Sequence, residues 1–171
     1  NIKSVMITSP RPLEGRTTVA VNVAASMARC RKRVLFIDCS AERPSFYKLG
    51  GAPNNANPYH TVGEHVVKAV SELGFDAVAA PRDSAGINYP ALRALVDSME
   101  KHYDVILADC PPLLTDADTM MLTSIVRNVL IEADYRMLSH RTLEKCVRRL
   151  NQINACVLGA IINRIPAKKL L

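Results

Sequence analysis

Three parts of this sequence have the residue types and positions for chemistry. One is the loop SPRPLEGRTT at residues 9–18, which lies between the apolar run VMIT and a helical pattern. The others are Asp38 and Asp109, which end the apolar runs VLFID and VILAD. A glycine-containing turn at a helix N-terminus presents backbone N–H groups to an anion, and carboxylates with a hydroxyl can bind Mg²⁺. The three parts together predict a site for phosphate groups and a metal ion.

The loop keeps most of what phosphate binding requires but departs from the usual pattern at two positions. Arg16 takes the place of the usual lysine, and its planar guanidinium is wider than an ammonium group. Leu13 stands where a glycine is expected, and a left-handed backbone there would cost roughly 1–2 kcal/mol. The predicted phosphate contacts are Leu13, Glu14, Gly15, Arg16, Thr17 and Thr18, and the predicted metal ligands are Thr17, Asp38 and Asp109. A strand-to-helix turn without a ligand is the alternative, but it leaves the two strand-end aspartates unexplained.

Length and composition indicate one globular domain. The chain has 171 residues, of which 49% are hydrophobic and 22% charged, which suits a full-sized core and argues against disorder. No apolar run approaches the roughly 18 residues that span a bilayer. Since the chain begins at Asn1, almost at its first strand, we expect residues 1–171 to be a single domain from a longer protein.

The net charge of +6 is concentrated in a few basic clusters. The main ones lie at residues 29–33, 141–149 and 168–169. Solvated helix ends and faces are the favoured interpretation, and contact with a membrane surface is the next. No aromatic residues alternate with these cations, so nucleic acid is not an expected partner.

Apolar runs and helical patterns alternate along the chain. The patterns predict strands at 4–8, 33–38, 75–79, 104–109, 128–132 and 157–162, and helices at 17–29, 61–72, 89–102, 116–124 and 139–151, with Ser139 as an N-cap and a loop from Glu42 to about Tyr59. Strands that are apolar on both faces and alternate with helices predict an α/β three-layer sandwich, with a mostly parallel central sheet covered on both faces. Ligands bind such sheets beyond the carboxyl ends of the strands, where the loop and both aspartates fall.

Four motifs in order resemble those of the bacterial tyrosine kinases of capsule and exopolysaccharide export, a group of deviant P-loop ATPases. They are VMITSPRPLEGRTTVAVNVAASMA, RVLFIDCSAERPSFYKLGG, YDVILADCPPLLTDAD and CVLGAIINR. The resemblance implies a P-loop NTPase-like fold, ATP or ADP with Mg²⁺ as cofactors, and catalytic roles for Asp38 and Arg16. It also implies that Asn163 contacts adenine and that Arg164 belongs to the same site. It further implies a membrane-embedded copolymerase segment as partner, a homo-oligomer, and a cytoplasmic position at the inner face of the cell membrane.

The sequence departs from this family at functional positions. The family's second acidic residue, implicated in activating the acceptor hydroxyl, is Ser40 here, and a family arginine is Glu42. The chain ends RIPAKKLL, and its five tyrosines are dispersed instead of clustered at the end. A general base typically contributes about 10²–10⁴-fold to a rate, and a serine cannot act as one.

Three functions are compatible with these observations. The leading hypothesis is a degenerate tyrosine-kinase-like domain of a polysaccharide export system, which regulates or assembles that system and binds ATP weakly or not at all. The second is a working autokinase, in which Arg16 contacts the phosphates and Asp38 acts as base. The third is a cargo-positioning ATPase of the partitioning type, although the Lys-Gly-Gly signature of those proteins is missing.

Overall fold

A computed structural model describes residues 2–40 and 59–166 of the chain. The loop predicted from Glu42 to about Tyr59 lies outside these residues, except for Tyr59 itself, which begins a strand.

The described residues form one large sheet and a small hairpin. The strands are β1 (Ser4–Thr8), β2 (Val34–Asp38), β3 (Tyr59–Val62), β4 (His65–Val70), β5 (Phe75–Ala79), β6 (Arg82–Asp83), β7 (Gly86–Ile87), β8 (Val105–Asp109), β9 (Asn128–Asp134) and β10 (Cys156–Asn163). The large sheet has the order β10-β9-β1-β8-β2-β5-β4-β3, and β6 pairs with β7. The strands from β10 to β5 pair in parallel, while β4 is antiparallel to both of its neighbours. The predicted mostly parallel sheet is therefore confirmed.

Helices cover both faces of the sheet. They are α1 (Arg16–Arg29), α2 (Tyr89–Met99), α3 (Asp118–Leu122) and α4 (His140–Gln152). Small side chains of α1 such as Ala20 and Ala24 are buried in the core on one face, whereas Leu95, Leu122 and Leu150 from the other three helices share the core on the opposite face. The three-layer arrangement follows from this division.

The central strands hold the layers together because successive side chains enter opposite cores. In β1, Met6 lies in the core shared with α2 and Ile7 in the core shared with α1, and both are fully buried. The same alternation occurs in β2 at Leu35 and Phe36. This alternation explains why the central positions of these strands are apolar on both faces.

The N-terminus of α4 follows the predicted local chemistry. Ser139 caps α4 as predicted, because its hydroxyl oxygen accepts a hydrogen bond from the Thr142 backbone N–H at 3.1 Å. None of the helices that the structure describes is both long and apolar enough to cross a bilayer.

The helix predicted at residues 61–72 is wrong, because this segment forms the β3–β4 hairpin. Val62 pairs with His65 across a turn in which Gly63 has φ 59°. The next strand, β4, then pairs with β5 and buries Val67 and Val70. Valines spaced three or four apart suited a helix, but β-branched side chains also suit a strand, and pairing with the sheet decided the outcome.

Substitution of Gly63 distinguishes the hairpin from the predicted helix. In a helix, Gly63→Ala would stabilise the protein by about 1 kcal/mol. In the observed left-handed turn it should lower the free energy of unfolding by about 1 kcal/mol, because the added Cβ strains the backbone. Urea denaturation measures the difference. Gly159→Ala is the matched control, since a Cβ there meets open space, and a gain at Gly63 would contradict the hairpin.

Candidate functional site

The parallel sheet brings the two predicted carboxylates together. Asp38 and Asp109 are direct partners in the pairing of β2 with β8, and both are almost fully buried. The neighbouring strand β1 leads into the loop that precedes α1. The loop and both aspartates therefore meet at the carboxyl edge of the sheet, as the sequence predicted.

The loop at Gly15 has the backbone geometry of an anion cradle. Gly15 has φ 108°, and a Cβ at this position would lie 2.5 Å from the Asn163 amide nitrogen, so only glycine fits. Helix α1 begins directly after it, without a side-chain cap and without an acidic residue in its first turn. Its first backbone N–H groups are therefore available to a ligand, and the helix dipole favours an anion there.

A cavity of about 440 Å³ opens beside this loop. It is lined by Ser9, Pro12, Leu13, Gly15, Arg16, Thr17, Thr18, Ser40, Pro112 and Arg164. Its size falls within the range of roughly 300–1,000 Å³ that is common for ligand pockets. Five of the six residues predicted to contact phosphates line it, as does Arg164. The sixth, Glu14, is buried within the loop.

Arg16 is directed at Asp109. Its Nε donates to Asp109 Oδ1 at 2.6 Å, and the Thr17 hydroxyl donates to the other carboxylate oxygen at 2.6 Å. Burial raises the pKa of Asp109, and the Arg16 guanidinium and Thr17 hydroxyl oppose that rise by stabilising the charged form. The arginine in the lysine position thus neutralises a buried carboxylate that was predicted to bind the metal.

The oxygen atoms around Asp109 suit a hard cation. However, the Arg16 guanidinium already contacts and neutralises the carboxylate that Mg²⁺ would need. Thr17, Asp38 and Asp109 offer one hydroxyl and two carboxylates, which is the donor set that Mg²⁺ prefers. Both Asp109 oxygens are already engaged by Arg16 and Thr17. In the observed arrangement these residues do not fit a metal ion, and Arg16 would have to leave Asp109 before one could bind.

Asp38 is engaged by its own loop. The Ser40 backbone N–H donates to Asp38 Oδ1 at 2.9 Å, and the Ser40 hydroxyl donates to the same oxygen at 2.7 Å. Ser40 therefore satisfies this carboxylate and adds no second acidic group at the edge of the sheet.

Leu13 and Arg164 together form one rim of the cavity. Leu13 has φ 66° and its side chain is 92% exposed, so the left-handed backbone considered from the sequence is present here without any compensating burial. Arg164 Nη1 donates to the Leu13 carbonyl oxygen at 3.2 Å and to Asp134 Oδ2 at 2.7 Å. Arg164 therefore braces the loop, whereas Asn163 lies against Gly15.

Two buried carboxyl groups lie near the loop: Glu14, which was predicted as a phosphate contact, and Glu132, which was not identified from the sequence. Glu14 accepts a hydrogen bond from the Arg11 N–H at 3.0 Å, and burial raises its pKa. Glu132 is fully buried, and neither of its oxygens has a hydrogen-bond partner of ordinary geometry within residues 2–40 and 59–166. Burial, followed by the charge of Glu14, raises the pKa of Glu132 to about 7, although Asn163 and Arg164 oppose the rise. The one available signal was a glutamate inside the otherwise apolar run VLIEA of β9.

Comparison with known proteins gives a consistent set of similarities. The profile of a family described as "AAA domain" matches residues 13–161. The chain is 25% identical to the putative tyrosine-protein kinase CapB of Staphylococcus aureus, over 98% of this chain and 78% of that protein. It is 26% identical to the tyrosine-protein kinase etk of Escherichia coli (strain K12), over 94% of this chain but only 23% of that protein. It therefore spans about a quarter of the length of this second relative.

Similarity in three dimensions agrees with the sequence comparisons. The crystal structure of the VpsO kinase domain matches with a TM-score of 0.74 and 26% identity, over 96% of this chain and 86% of the other. The bacterial tyrosine kinase resemblance and the P-loop NTPase-like fold inferred from the sequence are both confirmed.

The left-handed conformation of Leu13 yields a prediction about stability. Since the strain is present in the loop without any ligand, Leu13→Gly should raise the free energy of unfolding by about 0.5–1 kcal/mol. Leu13→Ala keeps the Cβ and should give no gain, so it serves as the control in chemical denaturation. A loss of stability in the glycine variant would contradict the strained backbone.

Glu132 should make stability depend on pH. The pKa of Glu132 rises from an ordinary 4.5 to about 7 in the folded protein. Between pH 4.5 and 7, the folded state therefore keeps a proton that the unfolded state has already lost. The contribution of Glu132 to stability should be greatest below about pH 4.5 and should be lost as pH rises towards 7. Glu132→Gln, which is neutral at every pH, should have a higher melting temperature at pH 8 and a flatter profile between pH 5 and 8.

Glu72→Gln is the control for this profile, because Glu72 is exposed and its substitution should leave the slope unchanged. An unchanged slope in Glu132→Gln would show that Glu132 is not the titrating group.

Proposed function

We propose that this chain, which belongs to the AAA domain family, is a tyrosine-kinase-like domain whose nucleotide site has degenerated. The domain acts as a regulatory or assembly module of a capsule or exopolysaccharide export system, and it binds MgATP weakly or not at all.

The proposal depends chiefly on the contact between Arg16 and Asp109. The guanidinium Nε lies 2.6 Å from an oxygen of the buried Asp109 carboxylate, so the charge of Arg16 is already paired although this residue lines the cavity where phosphates would lie. Breaking such a pair leaves a buried charge without compensation, which typically costs about 3–5 kcal/mol. A nucleotide would have to supply that free energy before Arg16 or the metal could contribute to binding.

The second altered position supports the same conclusion. In the family that the chain resembles, a second carboxylate takes part in activating the acceptor hydroxyl, and Ser40 stands in its place. The Ser40 hydroxyl donates to Asp38 at 2.7 Å, and a neutral hydroxyl is too weak a base to take the proton of an acceptor hydroxyl. The general-base contribution to phosphoryl transfer is therefore missing from this position.

The similar proteins suggest the biological setting. The named relatives are tyrosine-protein kinases, and the resemblance implies capsule or exopolysaccharide export. In this setting the domain lies on the cytoplasmic side of the inner membrane. Its partner is a membrane-embedded copolymerase segment in the same or a separate chain, and it assembles with further copies of itself.

A working kinase is the second candidate, and two observations favour it. The cavity of about 440 Å³ beside Gly15 is open, and Asp38 and Asp109 keep the register that a nucleotide site would use. In that case ATP would draw Arg16 away from Asp109, and Asp38 would act as the base.

Restoring the lysine tests the proposal. Wild-type protein should bind MgATP with a dissociation constant in the millimolar range or weaker in calorimetric titration. Arg16→Lys should tighten binding about tenfold or more, because a flexible ammonium can reach a phosphate and a charge-assisted hydrogen bond contributes roughly 1.5–3 kcal/mol.

Arg29→Lys, the same substitution at the far end of α1, is the matched control and should have no effect. Micromolar MgATP binding by the wild type, together with tyrosine phosphorylation, would exclude a degenerate site and favour the working kinase.

A further inference from the structure

A second cavity at the same edge of the sheet is strongly basic. It has a volume of about 560 Å³ and is lined by Arg11, Arg141, Lys145 and Arg148, with Glu144 as its one carboxylate. We call these residues, together with Leu114 and Thr142 in the wall, the basic groove. Four cations and one carboxylate give the groove a net charge of +3.

The groove is built from three separate segments. Arg11 follows β1, Leu114 follows β8, and the remaining charged residues lie on α4. Backbone hydrogen bonds hold the first two segments together, since the Leu113 N–H donates to the Ser9 carbonyl oxygen at 2.8 Å. The groove is therefore a cleft between parts of the fold and not one exposed helix face.

Most of its positive charge is not neutralised by the protein. Arg148 pairs with Glu144 at 2.8 Å. Arg11, Arg141 and Lys145 form no salt bridge with any residue in the described parts of the chain. Arg141, Lys145 and Arg148 are spaced four and three residues apart on one face of α4, where like charges destabilise a helix. A structural role does not account for this arrangement, whereas an anionic ligand does.

The lining residues indicate the chemistry of the ligand. Guanidinium groups form paired hydrogen bonds with phosphate oxygens, and a lysine adds a mobile point charge. No aromatic residue lines the groove, so nothing there would stack on a base or a sugar ring. The volume exceeds the lower limit of about 300 Å³ for ligand pockets, which is more room than one phosphate needs.

We propose that the basic groove is a binding site for a ligand with several clustered phosphate groups, separate from the cradle at Gly15. The two sites are connected through Arg11, whose side chain lines the groove while its backbone N–H donates to Glu14 in the phosphate loop at 3.0 Å. The Ser9 hydroxyl also donates to the Arg11 carbonyl oxygen at 2.8 Å. A ligand that holds the Arg11 side chain therefore acts directly on the position of the loop. This inference does not depend on whether the kinase-like site is degenerate.

The test uses sodium tripolyphosphate as a free ligand and vesicles containing phosphatidic acid as a source of lipid headgroups. The variant Arg141→Gln/Lys145→Gln removes two exposed cations from the groove. Its matched control, Lys32→Gln/Lys101→Gln, removes two exposed cations that precede β2 and β8 at the opposite edge of the sheet. Calorimetry and vesicle sedimentation measure binding, and melting temperatures show that both variants are folded.

We expect wild-type protein to bind tripolyphosphate, and the groove variant to bind it about tenfold or more weakly, since two charge-assisted contacts are lost. The control should change the affinity by less than about threefold, because its charges lie at the opposite edge of the sheet and salt screens their effect on the groove. Glu144→Gln should strengthen binding, because it removes the groove's only carboxylate, and this gain cannot result from misfolding.

The arms of the experiment separate the two sources of phosphate. Loss of vesicle binding alone in the groove variant would identify lipid headgroups as the ligand and would support the site. Equal losses of affinity in the groove and control variants would overturn it. So would an affinity that does not change when Arg141, Lys145 and Glu144 are substituted. Binding of duplex DNA that depends on these residues, without competition from tripolyphosphate, would also overturn it in favour of a nucleic acid surface.

Discussion

The buried contact between Arg16 and Asp109 joins the start of α1 to the end of β8. A carboxylate with no solvent exposure requires a partner, because an isolated charge in the interior is strongly unfavourable. Arg16 supplies that partner and Thr17 occupies the second oxygen. The first turn of the helix, the loop before it and the central strand therefore behave as one unit, and any ligand that needs either charge must first separate them.

At the carboxyl edge of the sheet, the backbone keeps the shape of a phosphate-binding loop, but the positively charged side chains are placed differently from the usual pattern. Gly15 still turns the chain so that the first N–H groups of α1 face an open cavity. Arg16, the cation that lines this cavity, is already paired with Asp109, while Arg11 lies in the neighbouring basic groove. Affinity for phosphate at this edge thus depends on where the cations point as much as on how many there are.

Sequence patterns predicted the central strands well and the β3–β4 hairpin poorly. Strands such as β1 and β8 are apolar on both faces, and this pattern indicates a strand of a parallel sheet that is buried on both faces. The segment at 61–72 carried valines compatible with either helix or strand, and its pairing with β5 settled the matter. Glu132 was missed because a single polar residue in an apolar run does not reveal that Glu14 lies near it.

By itself the sequence determined the α/β class, the loop at Gly15 and the meeting of Asp38 with Asp109. Each of these depends only on which strand end a residue follows, and parallel strands bring their carboxyl ends to one edge. Only the tertiary structure decided that Arg16 pairs with Asp109, that Leu13 has a left-handed backbone and that Arg11 faces α4. Long side chains can reach several partners, and burial and neighbouring charges, which no local pattern encodes, select among them.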